Sequence, residues 1–264
     1  MNMIRGQAFS TFGNPKNQPL VFLHGFPLSS SMWQKQIPVL QENYYCVTPD
    51  FRGLGRSLPT TGLQTMEGYA DDILFLIETL YLKKPVLCGL SMGGYAALRI
   101  AERAPEMFSG LILCDTKSAS DPDEVKLRRA AAIKRIQQEG AEGYIRDFVK
   151  GIFYQSFIEK YVAEFDSNLA QWVKNPPEGV IGALLAMMGR TDTTEAVKNF
   201  PFPVLCLCGA YDAMTPPSLM KDLARLAPQG EFYEVPEAGH MSPLENPDAV
   251  NRKIGEFLEL KIKN

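Results

Sequence analysis

Residues 86–94 read Val-Leu-Cys-Gly-Leu-Ser-Met-Gly-Gly, an apolar run that meets Gly-x-Ser-x-Gly at Ser91 and continues into a helix-forming stretch. A serine at a sharp strand-to-helix turn is a nucleophile elbow, and small residues flank it because a Cβ there would meet the backbone as it folds back. An alkyl alcohol is a weak nucleophile at neutral pH, so Ser91 needs a base, and histidine is the usual one because its pKa lies near neutrality. The chain has two histidines. His24, in Leu-His-Gly-Phe-Pro after an early apolar run, is read as a brace for its loop; His240, in Ala-Gly-His-Met after the last one, is then the base by elimination.

The imidazole in turn needs an acid to fix its tautomer and stabilise its charged form. Asp115 and Asp212 both follow short apolar runs and both lie between Ser91 and His240 in chain order. The short Gly-Ala-Tyr-Asp turn favours Asp212, whereas Asp115 is read as capping the start of the following helices or lining the pocket. Acyl transfer also requires N–H donors for the oxyanion that develops on the carbonyl oxygen. The backbone N–H of Met92, at the start of a helix, and that of Phe26, just after His24-Gly25, are placed to supply them.

Asp50-Phe51-Arg52-Gly53-Leu54-Gly55-Arg56-Ser57 has the look of a phosphate-binding loop but lacks a third glycine at dinucleotide spacing and the Gly-Lys-Ser/Thr ending. Asp50 and Arg52 are instead expected to tie the loop down. Five cysteines, an odd number, all lie in or beside apolar runs, which is the usage of buried thiols. Cys206 and Cys208 would point to opposite faces of a strand, and no second pair completes a zinc site, so neither metal nor cofactor is expected.

These residues need rigid elements to hold them. Short apolar runs at 20–23, 45–48, 86–88, 111–114, 204–208 and 231–235 predict buried strands. Helical spacing predicts helices over 66–81, 94–103, 142–153, 178–188 and 247–258, and over 121–140 with Asp121 as N-cap and Pro122 at N1. Strand and helix in alternation imply an α/β fold with a mostly parallel central sheet flanked by helices. The predicted organisation is a first core part at 1–117, a helical lid at 118–200 inserted before the last two strands, and a second core part at 201–264. A length of 264 residues, 45% hydrophobic and 22% charged, fits one large folded domain. A net charge of −3 without a basic stretch speaks against nucleic acid and membrane surfaces, and no secretory leader or long apolar span is visible, so a cytoplasmic location is expected.

Together these motifs resemble the α/β-hydrolase superfamily over nearly the whole chain. The matching pieces are His24-Gly25-Phe26-Pro27, Asp50-x-Arg52-Gly53-x-Gly55-x-Ser57, Gly89-Leu90-Ser91-Met92-Gly93-Gly94, Gly209-x-x-Asp212 with Thr215-Pro216-Pro217, and Gly239-His240 with Glu245-Asn246-Pro247. The resemblance implies a triad of Ser91, Asp212 and His240, and an oxyanion hole at Phe26 and Met92. Within the superfamily the chain is most similar to small carboxylesterases and the 3-oxoadipate enol-lactonase-like group, which implies a small-molecule ester or lactone substrate. Haloalkane dehalogenases and epoxide hydrolases carry Asp where Ser91 stands. Cofactor-free haloperoxidase-like perhydrolases keep the serine and are the alternative, as is a non-catalytic binder on the same frame. Trp33, Met187, Met188 and Met241 are the expected pocket residues, with Met32, Phe153, Tyr154, Trp172 and Met214 around the mouth and Arg190 or Lys117 able to recognise a carboxylate.

Overall fold

A computed structural model describes residues 2–59 and 63–262. The apolar runs become strands β3 (Pro19–Leu23), β4 (Tyr45–Pro49), β5 (Val86–Leu90), β6 (Gly110–Cys114), β7 (Val204–Gly209) and β8 (Gly230–Val235). Two strands that the apolar pattern did not show, β1 (Asn2–Ile4) and β2 (Gln7–Phe12), extend one edge. The eight lie in a single sheet of order β1-β2-β4-β3-β5-β6-β7-β8. The β1–β2 and β2–β4 pairs are antiparallel and the remaining pairs parallel. Strands β3, β5, β6 and β7 are buried along their whole length, as parallel strands covered on both faces must be, which is why they read as unbroken apolar runs. Strands β1 and β2 are partly exposed and polar, so no such run marks them.

Register then aligns the carboxyl ends. Leu23 lies opposite Gly89, Leu90 opposite Cys114 and Cys114 opposite Leu207. His24, Ser91, Asp115, Asp212 and His240 all follow strands at this edge, where open α/β sheets hold their ligands.

Helices α1 (Ile37–Leu40), α2 (Met66–Thr79) and α3 (Met92–Arg103) connect the first strands. Between β6 and β7 the chain is helical: α4 (Asp123–Glu139), α5 (Ala141–Ile152), α6 (Gln155–Lys160), α7 (Val162–Trp172), α8 (Pro177–Met188) and α9 (Thr194–Val197). Helix α10 (Pro217–Leu226) links β7 to β8, and α11 (Ser242–Glu245) and α12 (Pro247–Lys261) close the chain. Helix α12 begins as its sequence predicts: Pro247 opens the first turn and the Asn246 side chain accepts from the Ala249 N–H at 3.3 Å.

Asp121 does not cap α4. Pro122 is the N-cap, at φ −67° and ψ 159°, and the helix starts at Asp123. Asp121 turns inward instead and meets Arg129 at 2.7 Å, Arg190 at 2.9 Å and Lys117 at 3.5 Å. The Arg190 guanidinium also donates to the carbonyls of Met187 (3.0 Å) and Ala119 (2.7 Å) and lies 4.0 Å above the Tyr95 ring. Thr193 N–H donates to the Ser118 carbonyl at 3.2 Å and the Ser118 and Thr194 hydroxyls share a 2.8 Å bond. The two ends of the helical segment are thus fastened to each other where they join the sheet.

Candidate active site

The elbow is built from the backbone outward. Ser91 joins β5 to α3 at φ 51° and ψ −113°, a left-handed conformation that costs a non-glycine residue about 1–3 kcal/mol and persists only when its surroundings enforce it. They do: a Cβ on Gly89 would lie 2.4 Å from the Gly93 carbonyl oxygen, and one on Gly93 would lie 2.1 Å from that of Leu23. The turn is also pinned to β6, with Ser91 N–H donating to the Cys114 carbonyl (3.0 Å) and the Thr116 hydroxyl to the Ser91 carbonyl (2.8 Å).

His240 stands on the loop after β8, 2.9 Å from Ser91 Oγ through Nε2 and 2.9 Å from Asp212 Oδ2 through Nδ1. Asp212 is held by N–H groups of Met214 (2.8 Å) and Thr215 (3.0 Å) on Oδ1 and by the Thr215 hydroxyl (2.5 Å) on Oδ2. Burial works against its charge, but His240 and the Thr215 bonds outweigh it and hold the carboxyl below its ordinary pKa. An ionised Asp212 only accepts, so Nδ1 carries the proton and Nε2 is left to accept from the Ser91 hydroxyl. The donor, relay and acceptor are oriented for proton removal from Ser91.

His24 is occupied elsewhere. Its Nε2 accepts from the Phe51 N–H at 2.9 Å, so Nδ1 bears the proton and donates to the Gly25 carbonyl at 2.8 Å. Burial lowers its pKa against the opposing pull of Asp50, and the neutral ring braces the loops after β3 and β4. Asp50 secures that second loop through Ser30 N–H (2.7 Å) and Arg56 Nε (2.9 Å). Arg52, expected beside it, pairs with Asp72 on α2.

Asp115 is fully buried beside Asp212 without bonding His240. It accepts from Gly209 N–H (2.8 Å) and the Ser242 hydroxyl (2.5 Å), joining the ends of β6 and β7 to the turn after His240. Burial and the adjacent Asp212 charge push its pKa well up. Asp115, Cys208 and Asp212 bring ligand-type atoms within 4.8 Å of one another, the single such trio among the described residues. It does not suit a cation: the carboxyl oxygens already hold N–H and O–H donors, and burial drives the Cys208 thiol far from ionising. All five cysteines are free and buried.

Met92 opens α3, so its N–H belongs to the first turn, whose donors have no acceptor within the helix. Phe26 lies in the turn closed by Leu28 N–H to the Gly25 carbonyl (3.0 Å), its ring 5.3 Å from Phe148 and 6.3 Å from Tyr144, both on α5. Met187 and Met241 are buried and Met188 half-buried. The Trp33 ring packs on Phe22 at 5.3 Å and borders a cleft of about 630 Å³ lined by Ser10, Thr48, Gln171 and Asn175, which includes none of Ser91, Asp212, His240, Met187, Met188 and Met241. Phe153 and Trp172 form the aromatic interior of the helical segment with Phe157 and Phe165, and Met214 is exposed. Arg190 is buried with its pairing to Asp121 inside the protein. Thr215, Thr116, Ser242 and Glu245 each support the site, and none was assigned a role from sequence. The i+3 spacing of Thr215 from Asp212 is the one local signal, a side-chain turn that offers the carboxylate an N–H and a hydroxyl together.

Fold and site together define a hydrolase frame. Residues 18–247 match the alpha/beta hydrolase fold family, and the chain belongs to it. Its structure superposes with a TM-score of 0.91 on an esterase from Thermogutta terrifontis, 36% identical, covering 96% of this chain and 93% of that one. It is 28% identical over 249 residues to 3-oxoadipate enol-lactonase 2 of Acinetobacter baylyi, covering 93% of this chain and 90% of that protein. It is 27% identical over 260 residues to a bifunctional esterase/perhydrolase of Acinetobacter calcoaceticus, covering 92% and 93%. Among the described residues, no helix is long and apolar enough to cross a membrane.

Proposed function

We propose that this chain is a serine hydrolase that cleaves a carboxylic ester or lactone through an acyl-enzyme on Ser91. The observation that carries the proposal is the unbroken hydrogen-bonded path from Asp212 through His240 to Ser91, both links at 2.9 Å, on a strained elbow. His240 Nε2 takes the hydroxyl proton as Ser91 Oγ attacks the carbonyl carbon. The N–H groups of Met92 and Phe26 receive the oxyanion, each such donor being worth about 3 kcal/mol in the transition state. His240 returns the proton to the leaving oxygen, which departs as the alcohol or, for a lactone, stays attached as the ring opens. A water then gives its proton to His240 and attacks the acyl carbon, and His240 passes that proton to Ser91 Oγ as the acyl–oxygen bond breaks and the acid leaves. Residues 118–200 serve as the lid over this edge and 1–117 with 201–264 as the core. Phe26, Met187, Met188 and Met241 offer an apolar wall suited to a modest acyl group.

The relatives named as an esterase and an enol-lactonase support ester or lactone as the substrate class. The relative named as an esterase/perhydrolase supports a second reading, in which hydrogen peroxide replaces water at the acyl-enzyme and yields a peracid. Hydrolysis of p-nitrophenyl acetate, butyrate and octanoate and of a simple lactone tests both, with and without peroxide. Turnover with a chain-length optimum is expected, and Ser91→Ala should lose about six orders of magnitude in kcat while remaining folded. Activity that survives Ser91→Ala would overturn the proposal, and peracid formation would favour the second reading.

A further inference from the structure

We propose that Glu245 is a positioning residue for His240, its single carboxylate gathering the backbone N–H groups on both sides of the histidine and tying that loop to the junction of α5 and α6. The inference rests on His240 being the base for Ser91. Glu245 Oε2 accepts from Gly239 N–H at 3.1 Å and from Tyr154 N–H at 2.8 Å, and Oε1 accepts from Met241 N–H at 2.8 Å. The residue is 7% exposed. Between the two flanking bonds, His240 N–H donates to the Ile152 carbonyl at 3.1 Å, so every N–H from 239 to 241 has a fixed acceptor. The approach is close: a Cβ on Gly239 would lie 2.9 Å from Tyr154 N. The same junction reaches the acid loop, for the Tyr154 and Tyr211 rings stack at 4.3 Å, one residue before Asp212.

A carboxylate receiving three N–H bonds is a strong local clamp, because bonds to an ionised acceptor are roughly twice as strong as neutral ones. A base displaced by about 1 Å loses about a hundredfold in rate, so a clamp on both neighbours of the ring bears on catalysis without touching substrate. The carboxylate also faces the charge that His240 acquires. Burial raises the Glu245 pKa, and the three N–H groups and His240 offset part of that rise. The other ionisable groups around the ring are Asp212 at Nδ1, with Asp115 and Cys208 behind it, and all three stay in place in the variants below.

With only two histidines in the chain, the His240 ring titration is readable by NMR, assigned against a His240→Ala sample. In Glu245→Gln the midpoint should fall by about half a pH unit or more, since a facing negative charge is gone. The kcat for p-nitrophenyl butyrate should drop about tenfold or more at nearly constant KM. An unchanged midpoint with unchanged kcat would overturn the inference. Should Glu245→Gln fail to fold, Tyr154→Pro removes a single N–H donor. Tyr154 already has φ −65° and Phe153 ψ 148°, which suit proline and the residue before it. Tyr154→Ala loses the same ring and keeps the N–H. A kcat for the Pro variant about fivefold or more below the Ala variant supports the clamp, and equal values refute it. Were wild-type protein to show no Ser91-dependent turnover, the proposed activity would fall, while the titration would still decide what Glu245 does to His240.

Discussion

Two buried aspartates lie within reach of each other, and their surroundings push their pKa values in opposite directions. Asp212 has His240, two N–H groups and a hydroxyl that hold its pKa down, whereas burial and the neighbouring Asp212 charge raise that of Asp115. Asp212→Asn should therefore cost about four orders of magnitude in kcat by presenting the wrong tautomer to His240. Asp115→Asn leaves the carboxylate on His240 in place and should keep kcat within about tenfold, a contrast that steady-state kinetics with one ester resolves. The reverse ranking would reassign the acid. Ser91 was legible because its neighbours are dictated by backbone clash, and His240 because the chain offers one other histidine. The choice of Asp212 over Asp115 leaned on a short turn, since spacing alone allows both. Glu245 was visible only as part of a motif; its role depends on Tyr154, an element away.

Elements marked by local pattern were legible, and those defined by distant partners were not. Fully buried strands announce themselves as apolar runs, while β1 and β2, polar and at the edge, carry no such mark. Asp121 followed by Pro122 has the form of a helix start, but Arg129 and Arg190 lie where they compete for its carboxylate, and ion pairing wins over capping. Burial opposes the Asp121 charge, yet the two arginines hold its pKa below the ordinary range. Asp121→Asn leaves those cations without their acceptor. Breaking such a buried pair costs about 3–5 kcal/mol, so the thermal midpoint at pH 7 should fall by about 6 °C or more. A carboxyl with a depressed folded pKa stabilises fully above its unfolded value of about 3.9 and loses that contribution as pH falls through the folded value. Wild type and variant should accordingly converge on acidification below about pH 4. Equal midpoints at pH 7 would show that the cluster does not fasten the helical segment.

At the scale of the whole molecule, the order of motifs along the chain was enough to place an α/β sheet with its chemistry at one edge, because parallel strands and right-handed crossovers leave few alternatives. Cavities were not legible. The cleft beside Trp33 draws on β2, the 29–34 turn, α1, β4, the loop at Gly55-Arg56 and the end of α7, parts of the chain that sequence spacing does not relate. The apolar wall proposed at Phe26, Met187, Met188 and Met241 likewise draws on separate parts of the chain. What does not depend on those details is the proposed role of Ser91 as nucleophile. The most direct measurement is intact-mass and peptide analysis after treatment with an alkyl fluorophosphonate. Stoichiometric labelling that maps to Ser91, is abolished in Ser91→Ala and is slowed in Asp212→Asn is expected. An unlabelled but folded and active wild-type protein, or an adduct on another residue, would contradict acyl transfer through Ser91.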